Sequence, residues 1–409
     1  MATTSPLAPD RFPELPEVAG VRLAAIEAGL RYRNRADLML ARVPAGTTVA
    51  GVFTRSQCPS APVDWCRRIL PAGRARAVVC NAGNANAFTG RAGETAARLT
   101  AQTIARALGC SADEVYLAST GVIGETLDET ALAEALPVLA EADPAGWEEA
   151  ADAIRTTDTF AKGSGRAVTG PGGLAGTVVG IAKGSGMIAP DMATMLGFVF
   201  TDLSVSGPAL QQALSASVAA SYNRITVDSD TSTSDTVLLL ATGRAGNPPI
   251  EGPSSPGWGG FVEALDAVNL DLAHQIVRDG EGATKFVEVA VLGAVDDDSA
   301  RTIALAIGNS PLVKTALAAE DANWGRVVMA VGKSGQPADR DRLAIWIGPE
   351  QVTEAGVALE SYSEERATEH LRGDEVTITV DVGVGEGQAS IWTCDLTHGY
   401  IEINAGYRS

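Results

Sequence analysis

Apolar and polar residues follow one another along the chain in blocks that predict a mixture of β-strands and α-helices. Short β-branched runs bounded by glycine are typical of buried strands, and apolar residues three and four positions apart are typical of packed helices. Predicted strands cover residues 46–54, 75–83, 113–120, 176–183, 195–201, 286–294, 342–348, 375–385 and 389–403. Predicted helices cover residues 91–109, 127–141, 144–155, 207–222 and 256–278. Without a strict βαβ period, this pattern favours an α+β fold of layered sheets and helices.

The charge balance excludes some classes of partner. The 409 residues include 31 Lys and Arg against 50 Asp and Glu, so the formal net charge is −19. Such an acidic surface repels the phosphate backbone of nucleic acids and disfavours anionic membranes. Hydrophobic residues make up 45% of the chain and charged residues 20%, which is ordinary for a globular protein with a large core. We therefore expect no nucleic-acid or membrane partner.

The cysteines and the N-terminal sequence point to a reducing compartment. Five widely spaced cysteines without a C-x-x-C pair argue against a disulfide framework and a structural zinc site. The first residues lack a basic segment followed by an apolar one, and no apolar run reaches 18 residues. A cytoplasmic location is expected. Cys80 and Cys110 adjoin apolar stretches and are expected to be small core residues.

Histidine is too scarce to suggest a serine or cysteine protease-like triad. The three histidines are His274, His370 and His398, and the first two lie in helical patterns. None adjoins a candidate nucleophile in a turn, so each is expected to be a surface or capping residue. If the protein is an enzyme, its general base lies elsewhere.

Three short motifs resemble ligand-binding loops without meeting the requirements of one. Residues 331–335 (VGKSG) end like a P-loop but lack its first glycine. Residues 383–387 (GVGEG) lie between strands and do not open a helix, as dinucleotide binding requires. Residues 228–235 (DSDTSTSD) lack the glycine and glutamate of a calcium loop and indicate a hydrogen-bonded polar turn.

The segment from Lys183 to Leu196, KGSGMIAPDMATML, carries the strongest chemical signal. It holds one of only five lysines, and Thr194 opens an apolar strand after a small alanine and a loop rich in glycine. One interpretation is a flexible loop in which Thr194 is an ordinary strand residue. In the other, Thr194 attacks its own preceding carbonyl and becomes a new N-terminus. Its freed α-amine, with a reference pKa near ~8, then serves as the base for its hydroxyl.

This segment resembles the self-cleavage signature of the ornithine acetyltransferase / glutamate N-acetyltransferase family of arginine biosynthesis. Other blocks resemble the family in the same order along nearly the whole chain: NAGNANAFTG, ASTGVIGE, TTDTFAK, RITVDSDTSTSDT, DGEGATK, NSPLVKTA, DANWGRVVMAVGKSG, LRGDEV and INAGYRS. So many ordered blocks favour the catalytic interpretation of Thr194 over the flexible loop. The implied fold is a layered, self-cleaving one of the N-terminal nucleophile (Ntn) hydrolase kind.

The resemblance implies that the chain cuts itself between Ala193 and Thr194, giving an α chain of residues 1–193 and a β chain of residues 194–409. Thr194 would then take the acetyl group from N-acetylornithine and pass it to glutamate in a ping-pong cycle. The tetrahedral intermediates need preorganised hydrogen-bond donors, which the family places at Thr120 and Gly121. A plain turn at the end of a strand is the alternative for these two residues.

The resemblance also implies a set of substrate-binding residues. They are Thr159, Lys183, Thr194, Glu281, Asn404 and Ser409. Lys183 suits the α-carboxylate that ornithine and glutamate share, and Glu281 suits an ammonium group, although charge alone allows the pairings to be exchanged. Each of these roles has an alternative. Thr156 or Thr157 could take the place of Thr159 as the substrate contact. Glu281 could be a solvated turn carboxylate, and Asn404 and Ser409 could be frayed tail residues.

The chain departs from the family pattern at two positions. Asp191 stands where many members have asparagine, which could shift the pH dependence of cleavage, and the terminal residue is Ser409 where threonine is usual. The scissile Ala193 and Thr194 are unchanged.

The resemblance implies neither metal nor cofactor, and an assembly of α and β chains into an α2β2 heterotetramer. Two rival functions remain: a self-cleaving aminopeptidase or amidase in which water accepts the acyl group, and a non-catalytic amino-acid-binding relative. Whether acetyl-CoA is a second acetyl donor is open at this point.

Overall fold

The computed structural model describes residues 3–171, 174–189 and 195–406. The chain divides into two compact units. The larger unit comprises Asp10–Asn223 and Asp230–Ile276, and the smaller comprises Met1–Pro9, Arg224–Ser229 and Val277–Ser409. The chain therefore passes more than once from one unit to the other.

The larger unit is built on an eight-stranded sheet. Its strands are β1 (Arg22–Ile26), β2 (Leu38–Phe53), β3 (Arg74–Asn84), β4 (Val115–Val122), β5 (Lys162–Gly170), β6 (Leu174–Lys183), β7 (Leu196–Thr201) and β8 (Thr236–Ala241). Their order is β4-β3-β2-β8-β7-β6-β5, and β1 pairs with β2 outside this path. The pairs β3–β4 and β7–β8 are parallel, whereas the other pairs are antiparallel.

The long strand β2 carries this sheet from one layer to a second. Residues 38–42 pair with β3, the register shifts between Arg42 and Thr47, and residues 48–53 pair with β8. Four strands separate β4 from β6, so a flat sheet would place them about 24 Å apart. Thr120 of β4 and Lys183 of β6 are nevertheless within hydrogen-bonding distance, at 3.3 Å between Oγ1 and Nζ. The sheet therefore folds back on itself and encloses one core, which includes Leu40, Val78 and Phe198.

Six α-helices cover the described part of the larger unit. They are α1 (Ala61–Ile69), α2 (Gly90–Leu108), α3 (Glu129–Glu141), α4 (Trp147–Ala153), α5 (Gly207–Ala220) and α6 (Trp258–Arg278). Helices α1 and α2 pack on β4, and α5 packs on β2 and β8. Local sequence sets the helix ends: the Asp128 carboxylate accepts the first free amides of α3, and Gly109, at a φ of 63°, ends α2.

The smaller unit has a six-stranded sheet of its own. Its strands are β9 (Phe286–Ala294), β10 (Ala344–Ile347), β11 (Glu350–Glu354), β12 (Val357–Ala358), β13 (Glu375–Asp381) and β14 (Gly387–Cys394), in the order β12-β11-β10-β13-β9-β14. Its helices are α7 (Asp297–Gly308), α8 (Pro311–Ala318), α9 (Trp324–Gly332), α10 (Glu364–Leu371) and α11 (His398–Ala405). Helix α7 packs on β9 and β14 around a separate apolar core. The predicted α+β class is thereby confirmed.

The structure corrects one predicted strand. Residues 389–403 were expected to be extended, but β14 ends at Cys394 and residues 398–405 form α11. The hydroxyl of Thr397 accepts the N–H of Gly399 and so begins the helix. The β-branched residues of this short segment are typical of strands, so the sequence alone does not reveal the helix cap at Thr397.

Three smaller expectations can now be compared with the structure. Cys80 is buried as expected, whereas Cys110 is only partly buried. His370 is a structural residue whose Nε2 accepts the N–H of Thr377 at 2.9 Å. The P-loop-like residues 331–335 lie at the C-terminal end of α9, where no phosphate-binding loop can form.

Candidate active site

Thr120 and Gly121 lie near the end of β4, where Thr120 is buried and Gly121 is partly buried. Thr120 is 1% exposed. Gly121 has a φ of 131°, and a Cβ added there would lie 2.2 Å from the carbonyl carbon of Gly83 and 2.5 Å from the amide nitrogen of Asn84. Only glycine fits such a close approach of two backbones. Close packing of the two strands therefore requires glycine here, and the oxyanion role of Thr120 and Gly121 stays a prediction.

Lys183 lies at the end of β6 and faces Thr120. Its side chain is 2% exposed, and its Nζ donates to Thr120 Oγ1 at 3.3 Å. This contact joins the two layers of the folded sheet at the ends of their strands. A hydroxyl that accepts a hydrogen bond from an ammonium group keeps its own proton for donation to another acceptor. Thr120 is thus suited to donate to a developing negative charge.

Asp158, which the sequence analysis did not single out, holds this lysine in place. Its Oδ1 accepts from Lys162 Nζ at 2.8 Å and from the Gly184 N–H at 2.6 Å. Its Oδ2 lies 3.9 Å from Lys183 Nζ. Burial opposes ionisation of this carboxyl, but the ammonium groups of Lys162 and Lys183 outweigh burial and hold its pKa below the usual range. The sequence feature that could have identified Asp158 is its position within a cluster of threonines, in a chain with only five lysines.

The threonine cluster before β5 contacts the loop after Lys183 through Thr157. The Oγ1 of Thr157 and the Oγ of Ser185 are 2.7 Å apart. Thr156 donates its N–H to Asp158 Oδ2 at 3.1 Å. Thr159, the residue implied by the resemblance, is partly buried beside Asp158. The cluster is therefore next to the site, and the choice among its three threonines stays a prediction.

The predicted nucleophile and the cleavage site lie outside the described residues. These are Ala193 and Thr194, and Asp191 also falls in the gap. The structure resumes at Met195, which is 1% exposed and leads directly into β7. Its N–H donates to Asp235 Oδ1 at 3.2 Å, and its carbonyl accepts the N–H of Thr236 at 3.2 Å. The backbone immediately after position 194 is thus anchored to β8.

Two of the predicted substrate-binding residues belong to the smaller unit and lie against each other. Asn404 Nδ2 donates to Glu281 Oε2 at 2.7 Å. Glu281 is 8% exposed, which contradicts the alternative of a solvated turn carboxylate. Thr397 Oγ1 donates to the Gly282 carbonyl at 2.6 Å, which packs the start of α11 on this turn. Asn404 therefore lies on an ordered helix, whereas Ser409 is outside the described residues.

The described ranges hold no group of three or more His, Cys, Asp or Glu side chains arranged to bind a metal ion. Among the helices that the structure covers, none combines the length and the apolar character that a membrane crossing requires.

The larger unit thus brings a buried lysine and a buried threonine hydroxyl into contact at the ends of two strands of a layered α+β fold. The family model of the ArgJ family matches residues 22–409. The chain belongs to the ArgJ family.

Curated relatives match over their full length. The arginine biosynthesis bifunctional protein ArgJ of Mesorhizobium japonicum is 54% identical over 414 residues, with 100% of each chain covered. The protein of the same name from Rhizobium meliloti is 56% identical over 411 residues, covering 100% of this chain and 99% of the relative.

Two solved structures of related proteins match parts of the chain. The crystal structure of arginine biosynthesis bifunctional protein argJ from Bacillus halodurans is 46% identical with a TM-score of 0.50, covering 51% of this chain and 98% of that one. The ornithine acetyltransferase of Mycobacterium tuberculosis, complexed with ornithine, is 35% identical with a TM-score of 0.37, covering 42% of this chain and 92% of that one.

Proposed function

We propose that this protein is an ornithine acetyltransferase of arginine biosynthesis, which moves the acetyl group of N-acetylornithine to glutamate. The products are ornithine and N-acetylglutamate. The observation that carries the proposal is the buried contact between Lys183 and Thr120 beside Gly121. It puts a hydroxyl that is able to donate a hydrogen bond beside a buried cation, in a chain whose relatives are named for arginine biosynthesis.

In the proposed mechanism Thr194 is the nucleophile, freed by cleavage after Ala193. Its Oγ attacks the acetyl carbonyl carbon while its α-amine takes the hydroxyl proton. The tetrahedral oxyanion accepts hydrogen bonds from the Thr120 hydroxyl and the Gly121 N–H. Collapse breaks the C–N bond, and the proton on the α-amine passes to the leaving amine of ornithine. The amine of glutamate then attacks the acetyl ester of Thr194, and the same steps run in reverse.

The substrate contacts are proposed from charge and burial. Lys183 carries the positive charge that suits the α-carboxylate common to both amino acids, and Asp158 keeps that ammonium group in place. Glu281, held by Asn404, suits the side-chain ammonium group of ornithine. Thr159 and the terminal Ser409 are proposed as further contacts. Each of these roles remains a proposal.

The proposed cleavage gives chains of residues 1–193 and 194–409, which associate and pair into α2β2. The Bacillus halodurans chain supports this proposal, because it corresponds over 98% of its length to only 51% of this chain. We also propose a cytoplasmic location, since the five cysteines are free thiols. The relatives' name "bifunctional" favours acetyl-CoA as a second acetyl donor to glutamate.

One experiment tests nucleophile and reaction together. The purified wild-type protein is expected to run as two fragments on a denaturing gel, and Thr194→Ala as one full-length band. Thr194→Ser is the matched control, because it keeps a hydroxyl and should still be cleaved. If the wild-type protein is not cleaved, the proposal is wrong.

The same preparations are then given N-acetylornithine and glutamate without acetyl-CoA. The wild type is expected to form N-acetylglutamate, and Thr194→Ala to form none. Release of free acetate in place of N-acetylglutamate would indicate a hydrolase, and binding without turnover would indicate a non-catalytic relative. Adding acetyl-CoA and glutamate alone measures the second activity.

A further inference from the structure

Asp235 is a buried carboxyl group that the mechanism above does not use. It is the residue before β8, and its side chain is 0% exposed. Its Oδ1 accepts the N–H of Met195 at 3.2 Å, and the next residue, Thr236, donates its N–H to the Met195 carbonyl at 3.2 Å. Residues 235 and 236 therefore hold both polar groups of the Met195 backbone.

The backbone held by Asp235 belongs to the residue that directly follows the proposed nucleophile in the chain. The Met195 nitrogen lies 3.2 Å from Asp235 Oδ1, so this contact restrains the backbone at the first residue after position 194. The amide nitrogen of residue 194 becomes the catalytic α-amine after cleavage, if the proposed function is correct.

The surroundings of Asp235 favour its uncharged form. Burial raises the pKa of this carboxyl well above its usual range, and the Met195 N–H, the nearby hydroxyls of Thr54 and Ser232 and the charge of Lys183 offset burial only in part. In the part of the chain that the structure describes, Oδ2 has no hydrogen-bond partner. An ionised carboxylate beside the α-amine would stabilise the ammonium form and weaken the base, whereas a neutral acid does not.

We propose that Asp235 is a positioning residue for the nucleophile, because it fixes the backbone at Met195, directly after Thr194, during self-cleavage and during acetyl transfer. This inference rests on the proposed role of Thr194. The charged group that faces Asp235 across the sheet is Lys183 of β6, which is itself paired with Asp158. As a neutral acid Asp235 accepts the Met195 N–H without adding a negative charge to this group of residues.

The alternative is that Asp235 has a purely structural role as the acceptor for the first amide before β7. A test must distinguish this role from positioning of the nucleophile. The opposite end of the same strand offers a matched control. There Asp202 follows β7, and its Oδ1 accepts the N–H of Thr177 at 2.8 Å. Asp202 is 9% exposed and performs the same kind of backbone contact away from Met195.

The experiment compares Asp235→Ala, Asp235→Asn and Asp202→Ala in the full chain. Cleavage is followed with time after synthesis in a cell-free system, and kcat and KM are measured for the cleaved proteins. Asp235→Ala is expected to slow cleavage and lower kcat at least tenfold with little change in KM, because misplacing a reacting group costs about that much or more. Asp235→Asn keeps the acceptor and should recover most of this loss. Asp202→Ala should lower the unfolding temperature but leave cleavage and kcat as in the wild type.

Two results would overturn the inference. In the first, Asp235→Ala is cleaved and turns over substrate as fast as Asp202→Ala. In the second, Asp235→Asn is as impaired as Asp235→Ala. If Asp235→Ala fails to fold, the pH dependence of kcat in Asp235→Asn decides. If the pH dependence of kcat in Asp235→Asn matches that of the wild type, Asp235 acts as a neutral positioning acid. If one limb of the pH profile of kcat is lost, Asp235 titrates during the reaction and the inference is wrong. An uncleaved wild type would instead contradict the proposed function, so the two failures are distinguishable.

Discussion

At the scale of single residues, the buried charges around Lys183 are the feature that most clearly separates this site from an ordinary protein core. Asp158 and Lys162 have completely buried side chains and Lys183 is 2% exposed. Burying charges is costly unless they are paired and hydrogen-bonded. Here the carboxylate also accepts backbone N–H groups of Gly184 and Thr156, which fixes the loop that follows Lys183.

Replacing Asp158 should therefore be costly. Asp158→Asn leaves two buried ammonium groups without their carboxylate and is expected to lower the free energy of unfolding by about 3–5 kcal/mol. The pKa of Asp158 is lowered in the folded state, so its contribution is present above the pKa of the unfolded chain, near 4, and is lost as the pH falls below it. Urea unfolding at pH 7 and at several values below pH 4 measures both effects.

The exposed carboxylate of Asp113 provides the control. It pairs with Arg68 at 3.2 Å with both side chains more than half exposed. Asp113→Asn should cost less than about 1 kcal/mol. A similar loss from the two variants would contradict the special role of the buried group.

Sequence reasoning located Lys183 and Thr120 but not Asp158, and the reason is physical. The rarity of lysine and the resemblance drew attention to Lys183. The partner of that lysine is fixed by tertiary contacts between residues 25 positions apart, which no local pattern encodes. The same holds for Asp235, which the sequence analysis assigned to a polar turn. Its carboxyl accepts a hydrogen bond from Met195, a residue 40 positions away in the chain.

At the scale of elements, the approach of β3 to β4 at Gly83 and Gly121 shapes the end of the sheet where Thr120 lies. The two strands are parallel, and the register shifts at Gly83 and Asn84. This irregularity turns the backbone of Gly121 to a positive φ, and the N–H that is proposed to bind the oxyanion belongs to this residue.

Gly121→Ala should disrupt this end of the sheet. The added methyl group would lie 2.2 Å from main-chain atoms that cannot move without breaking the ladder, so we expect a loss of at least about 2 kcal/mol in stability. Activity should fall by about 100-fold or more, because an oxyanion donor is displaced. Chemical denaturation and steady-state kinetics measure the two effects.

Gly124 is the matched control, since it also has a positive φ, 86°, but a Cβ there would meet nothing within 4 Å. Gly124→Ala should cost only about 1–2 kcal/mol from backbone strain and retain activity. Equal effects at the two positions would show that strain alone, and not close approach, matters at Gly121.

Elements with a strong period were the easiest to predict. Residues 286–294 form β9 as expected, and α2 begins and ends within one residue of its prediction. Strands β1, β5 and β8, the first half of β2 and the hairpin of β11 and β12 were not predicted, and α11 was taken for a strand. In each case polar and apolar residues follow no clean alternation, so tertiary contacts decide the structure.

At the scale of the whole molecule, the proposed cut does not coincide with the division into compact units. The cut separates residues 1–193 from 194–409, whereas the larger unit takes residues from both sides of it. In particular β6 and β7 pair along Val178–Lys183 and Leu196–Thr201, and β7 is fully buried between β6 and β8. The length of the sequence allowed two or three structural units, but no pattern showed where the two units begin and end, because the chain crosses between them repeatedly.

We therefore expect the cleaved chains to remain together under native conditions. Both should elute from size-exclusion chromatography as a single species and separate only in denaturant, because separation would expose the buried edges of β6 and β7. Uncleaved Thr194→Ala should elute at the same volume. A free fragment of residues 1–193 in native buffer would contradict this expectation.

The continuity of β2 has a consequence for selectivity. One unbroken strand borders both layers of the folded sheet, so the separation between Thr120 and Lys183 is set by backbone hydrogen bonds and a close-packed core. The walls of the site cannot widen for a longer substrate without breaking that ladder. Discrimination between amino acids of different length must then come from the loops at the strand ends, where sequence can change without disturbing the sheets.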